Sequence, residues 1–164
     1  MSRHRNLARK FFSLIFVLFT SVSIGSASQD LNRAAAEKLI AEAEALTEKR
    51  TEQSYQQAIE KYLSAISIWR SLNDKRMEAA TLYEAGWLYG DIGQYQNAID
   101  CYSQALTLYK ALGNHKSIAN TLNNTAWIYG DLGESQTALD LYLQAAEAKK
   151  KIALQANVCP RAVS

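Results

Sequence analysis

Between residues 30 and 154 apolar side chains recur at spacings of three and four, the period of a helix with one buried face, and nowhere do they alternate as in a strand. Leu39, Ala43 and Leu46 mark a first helix, which Asp30 or Asn32 can cap. The pattern breaks from Arg50 to Ser54. It resumes with Ala58, Ile59, Tyr62, Ala65, Ile66 and Trp69, one face of a second helix. Leu72-Asn73-Asp74 ends that helix, because Asn tolerates the left-handed conformation at a helix end and Asp can cap the next one. A second pair uses Leu82, Ala85, Gly86 and Tyr89, then Ala98, Tyr102, Ala105, Leu106 and Tyr109, and a third runs from His115 to about Ala153. Gly90-Asp91-Ile92-Gly93 and Gly130-Asp131-Leu132-Gly133 are the expected turns within these hairpins.

The second and third pairs are copies of one another. Thr81-Leu82-Tyr83-Glu84-Ala85-Gly86-Trp87-Leu88-Tyr89-Gly90-Asp91-Ile92-Gly93 returns forty residues later as Thr121-Leu122-Asn123-Asn124-Thr125-Ala126-Trp127-Ile128-Tyr129-Gly130-Asp131-Leu132-Gly133. Ala98, Asp100, Tyr102, Gln104, Ala105 and Lys110 recur as Ala138, Asp140, Tyr142, Gln144, Ala145 and Lys150. A fixed period of this length marks a stacked array, whose units bury their apolar faces against neighbours. The expected fold is therefore all-α, an α-α superhelical solenoid of about three antiparallel helix pairs spanning 30–73, 74–113 and 114–154, with a disordered tail over 155–164. Gly86 costs about 1 kcal/mol of helix propensity against Ala, which close helix contact would offset. In the last helix Leu106, Leu108 and Tyr109 give way to Ala146, Ala148 and Lys149, the pattern of a terminal cap, so a monomer is expected.

Charge changes the picture at the N-terminus. Arg3, Arg5, Arg9 and Lys10 precede an apolar run from Phe11 to Ile24 that closes on Gly25-Ser26-Ala27-Ser28, which reads as a signal peptide over 1–27. The expected location is periplasmic or secreted after cleavage, with membrane contact only through that leader. The alternative is an uncleaved anchor, although the run is short of the roughly 20 apolar residues of a spanning helix. The formal net charge is +2, but removing the leader's four basic residues from 18 leaves 14 against 16 acidic, a net of −2. No basic face for a phosphate backbone remains, and the densest run is Lys149-Lys150-Lys151.

Candidate chemistry is sparse. Apart from His4 in the leader the one histidine is His115, expected in solvent at a helix start. Cys101 reads as a packed small residue, and Cys159 lies in the tail. A disulfide between them would have to tie the tail back to the second repeat. No triad, phosphate loop or metal-ligand spacing is present, so neither catalysis, a cofactor, a metal nor a small-molecule substrate is expected.

Leu82, Ala85-Gly86, Tyr89, Gly93, Ala98, Tyr102 and Ala105, with Leu122, Thr125-Ala126, Tyr129, Gly133, Ala138, Tyr142 and Ala145, resemble the tetratricopeptide repeat motif. The forty-residue period is similar to the longer-helix subclass of kinesin light chains and of bacterial arrays that precede caspase-like CHAT peptidase domains. Leu82 and Leu122 stand where the motif has Trp, and Lys110 and Lys150 where it has Pro. The first pair aligns only after a three-residue shift, read as a degenerate repeat with a longer turn. The resemblance implies a non-enzymatic module whose first helices line a concave groove for a protein or peptide. The alternatives are a regulatory or sensor half of a peptidase system, or a self-associating structural piece. It places Tyr83, Trp87 and Asp91, then Asn120, Asn123, Asn124, Trp127 and Asp131, at that groove. The asparagines are similar to those that hold an extended peptide backbone in the family, but Tyr83-Glu84 interrupts a ladder. Trp87 and Trp127 either face a ligand or pack between neighbouring first helices.

Overall fold

The computed structural model describes residues 27–158, and over them the chain is six helices and turns. They are α1 (27–47), α2 (Glu52–Ser71), α3 (Lys75–Asp91), α4 (Tyr95–Ala111), α5 (His115–Asp131) and α6 (Ser135–Val158). Residues 1–26 of the expected leader, His4 among them, and Cys159 lie outside the described residues. Among those described, no helix is long and apolar enough to cross a membrane.

Asp30 and Asn32, expected to cap α1, lie inside it, because the helix already runs from residue 27, whereas several ends within the stack follow from the residues at the turn. After α3 the N–H of Gly93 donates to Gly90 at 3.0 Å and that of Gln94 to Tyr89 at 2.8 Å, a closure that puts Gly93 at φ 73°. Asn73 takes the same left-handed conformation after α2, with φ 56°. Asp74 then caps α3 by accepting from the N–H of Met77 at 3.1 Å, and Asn114 caps α5 through the N–H of Ser117. The helices run on through Gly90-Asp91 and Gly130-Asp131, so the hairpin turns begin only at Ile92 and Leu132. At the other end of the chain α6 continues to Val158, past the expected end at 154.

The first pair differs from its expectation in one respect. Its three additional residues barely lengthen the turn: they form the first turn of α2, which has 20 residues where α4 has 17. A capping box secures that turn, with Thr51 Oγ1 accepting from the N–H of Ser54 at 3.1 Å and Ser54 Oγ accepting from the N–H of Thr51 at 3.2 Å. Beyond it, α2 is in the forty-residue register, Tyr55, Ala58, Tyr62 and Ala65 standing for Tyr95, Ala98, Tyr102 and Ala105.

Packing runs continuously along the stack. Ala43, Tyr62, Leu82, Ala85, Ala105, Leu122 and Ala145, drawn from all six helices, belong to one buried cluster. Gly86 is where α3 and α4 meet: a Cβ there would stand 2.9 Å from Tyr102 Cδ1 and Cε1 and 3.2 Å from Cys101 Cβ. The outer face of α6 is less closed than a cap requires. Of the three residues that mark the expected cap, Ala146 and Lys149 are exposed and Ala148 is buried, but Leu139, Tyr142 and Leu143 are exposed too, although Tyr102, the counterpart of Tyr142, is buried beside α5.

Candidate protein-binding groove

The forty-residue offset puts Trp87 and Trp127 at equivalent places on α3 and α5, and both stay half in solvent, at 44 % and 49 % exposure. Their neighbours Leu88 and Ile128 fill the core instead. Between the indoles lies a cleft of about 210 Å³, lined also by Gly90, Asp91, Tyr102, Asn124 and Ile128. Each indole leans on a tyrosine of the preceding outer helix: Tyr55 on Trp87 with centroids 6.3 Å apart, and Tyr95 edge-on to Trp127 at 6.4 Å. Tyr55 and Tyr95 were not among the groove residues expected from sequence, yet their own forty-residue spacing matches that of the tryptophans.

Asn124 bridges the repeats from within. Its Nδ2 donates to Tyr83 Oη at 3.0 Å and to Tyr102 Oη at 3.3 Å, so part of its hydrogen-bonding capacity is spent on the fold. Tyr83 and Tyr102 meet ring to ring at 5.7 Å, and partial burial raises the hydroxyl pKa of both. Asn123 and Asn120 lie one and two turns before Trp127 on α5, half-buried and exposed, and neither lines the cleft. Asp91 lines it, whereas Asp131 sits beyond Trp127 and accepts from Tyr95 Oη at 3.1 Å. That bond and the nearby carboxylate raise the pKa of Tyr95.

Further along the same face, Glu84 reaches solvent, yet its carboxyl pKa is raised, first by desolvation and then by Glu44 of α1. The same two carboxylates act on Tyr62 of α2, whose hydroxyl is pushed up to about 12, mainly by its burial. A carboxyl raised in the folded state stabilises the protein while protonated and loses that contribution as pH rises through the folded value. Glu84→Gln should therefore melt above wild type at pH about 7 and level with it below about pH 4, where folded and unfolded chains both hold the proton. Thermal melts at the two pH values check this, and a lower melting point for the variant at neutral pH contradicts it.

The other groups singled out from sequence are in ordinary structural roles. Cys101 is buried, and burial pushes its thiol up to about 11, far from a thiolate at neutral pH. The disulfide considered with Cys159 involves a residue outside those described. His115 begins α5 and is half-buried, lining a cavity of about 360 Å³ with Lys110, Ile118, Leu122, Ala148 and Lys151. This cavity exceeds the tryptophan cleft but lies at the outer seam of α4, α5 and α6. One repeat earlier, Arg70 crosses the seam to Glu78 at 2.7 Å and to Gln104 at 3.2 Å, and a smaller cavity of about 250 Å³ lies there beside Glu78, Gln104 and Leu108. Lys110, Ile118, Gln144 and Ala148 occupy those places in the later seam, where Ile118 and Ala148 replace Glu78 and Leu108 and the cavity is larger.

Stacked helical hairpins with no strand among the described residues, and a cleft between successive first helices, define a repeat solenoid of the kind that binds other proteins. The chain belongs to the tetratricopeptide repeat family, whose model matches residues 39–111 and 91–151. Among solved structures it is similar to the tetratricopeptide domain of Arabidopsis FLU, with 21% identity, a TM-score of 0.61, and coverage of 70% of this chain and 97% of that one. A weaker likeness is to MamA, with 15% identity, a TM-score of 0.43, and coverage of 72% and 80%. No curated protein matches the chain. Membership makes this a protein–protein interaction module, in a family that is generally non-enzymatic.

Proposed function

We propose that the chain is an exported module, without enzymatic activity of its own, that holds an extended peptide or protein segment in the groove between α3 and α5. The observation that carries the reading is the pair of half-exposed tryptophans at one repeat spacing, framing a cleft whose other side chains include Tyr102, Asn124 and Asp91. Exposed indoles supply large contact area at little ordering cost, and in a solvent-facing groove they serve a partner better than they serve the fold. Asn124 keeps its amide oxygen for a partner's backbone N–H while its NH2 group holds the two tyrosines.

Selection of displayed peptides on the full chain tests the reading. Enriched segments should quench tryptophan fluorescence, and failure of every segment to do so argues against groove binding. The proposed export rests on the leader. N-terminal sequencing of the protein recovered outside the cytoplasm should begin near Ser28 or Gln29, and an intact Met1 in a membrane pellet would support the anchored alternative.

A second reading, self-association, is favoured by the exposed face of α6. Leu139, Tyr142 and Leu143 are 51 %, 45 % and 60 % exposed, and the equivalents of the first two pack inside the stack at the previous junction. Light scattering over a range of concentrations separates a monomer from chains that stack end to end.

A further inference from the structure

Charge on the inner face is one-sided. Gly93 and Arg50, the left-handed turn residues, bring α1 into register with α3 at an offset of 43 residues, so Glu44 answers to Trp87 and Glu48 to Asp91. That face then carries Glu37, Glu44, Glu48, Glu84, Asp91 and Asp131. None of the ion pairs among the described residues uses any of them. Arg33, Arg76 and Lys116 stand on the same stripe only near the starts of α1, α3 and α5, three helical turns from Glu44, Trp87 and Trp127, and Arg33 is paired with Asp74.

The helix ends add to this. A helix C-terminus is the negative pole of its dipole, where a cation stabilises and an anion does not. The outer helices α2 and α4 follow the rule with Arg70 and Lys110 in their last turns. The inner helices α3 and α5 have no basic residue there and end on Asp91 and Asp131. Two aspartates at the wrong pole, beside two half-exposed indoles, cost the fold stability that a bound cation would restore.

We infer that the groove selects a basic extended segment, seating a lysine or arginine side chain in the cleft between Trp87 and Trp127 against the carboxylate of Asp91. The indole faces hold the cation through their quadrupoles and the alkyl stem by contact, while Asp91 and the carbonyl end of α3 supply negative charge. Gly90 keeps the cleft floor low: its missing side chain leaves space bounded by Ile128 Cδ1 at 3.7 Å and Trp127 Cζ3 at 3.8 Å. This inference rests on the groove reading above and adds the sign of the partner's charge.

The test uses the full chain and three synthetic peptides: repeats of Ser-Arg-Ala-Lys, the same repeats with Gln for both cations, and with Glu for both. The basic peptide should bind at least about ten-fold more tightly than the other two, with an affinity that falls as salt is added. Asp91→Asn should weaken it by about ten-fold while raising the melting temperature, because the change relieves the helix pole. A higher melting point excludes misfolding as the cause of lost binding. If the Gln or Glu peptide binds as tightly as the basic one and Trp87→Ala removes that binding, the groove reading stands and the charge inference is overturned. Basic-peptide binding that ignores both Asp91→Asn and Trp87→Ala is surface adsorption and overturns it too. No binding by any of the three overturns both.

Discussion

Gly86→Leu is expected to melt well below wild type, with loss of packing between the first and second helices of the central repeat. The single Cβ of alanine at this position would already stand 2.9 Å from two carbons of the Tyr102 ring, and 3.2 Å from Cys101 Cβ, before any further atom is added. Tyr102 cannot swing freely, because its hydroxyl accepts from Asn124 and its ring packs on Tyr83. Overpacking of this kind costs about 1–3 kcal/mol, and each kcal/mol moves the midpoint of a chain of this size by about 2–4 °C. Gly90→Ala, four residues on in the same helix, is the control. A Cβ there would find its nearest side-chain atoms at 3.7 and 3.8 Å, ordinary contact distances, and alanine gains about 1 kcal/mol of helix propensity. The two substitutions should therefore shift the melting point in opposite directions, as followed by circular dichroism. A melt of Gly86→Leu that matches the parent would mean that α3 and α4 approach less closely than described.

The other large effect is on binding. Trp87→Ala with Trp127→Ala should weaken any segment selected by the groove by about thirty-fold or more, since truncating an aromatic anchor at an interface centre costs about 2 kcal/mol or more. Stability should change far less. Both indoles are half in solvent, and the buried positions beside them belong to Leu88 and Ile128, which the double variant leaves intact. Titration calorimetry with parallel melts reads the two quantities separately. Unchanged affinity together with a much lower melting point would assign the tryptophans to the stack, the alternative that spacing alone left open.

Asn124 illustrates why a motif can place a residue without saying what it does. Its position on the inner face of α5 is legible from the helical period, but its amide is turned toward Tyr83, 41 residues away, and Tyr102, 22 away. No local rule couples those three side chains. They meet only because Gly86 lets α4 close on α3 and α5 then stacks beside both. The tyrosines behind the tryptophans are a milder case: Tyr55 and Tyr95 carry a visible repeat signal, but their edge contacts with Trp87 and Trp127 depend on how successive hairpins are inclined.

Sequence by itself determined what is local or periodic: the helices, the left-handed turn at Asn73, the cap at Asp74, the forty-residue unit and the family. Each of these depends on residues within a turn or two of one another, or on a copy of the same text, so hydrogen-bonding chemistry and the period of 3.6 suffice. Tertiary structure decided the rest. It placed the three added residues of the first repeat inside α2, left Leu139, Tyr142 and Leu143 exposed on α6, and turned the amide of Asn124 toward Tyr83 and Tyr102. Those outcomes turn on which helix faces meet, a matter of side-chain volumes and hydrogen-bond partners summed over elements far apart in the chain.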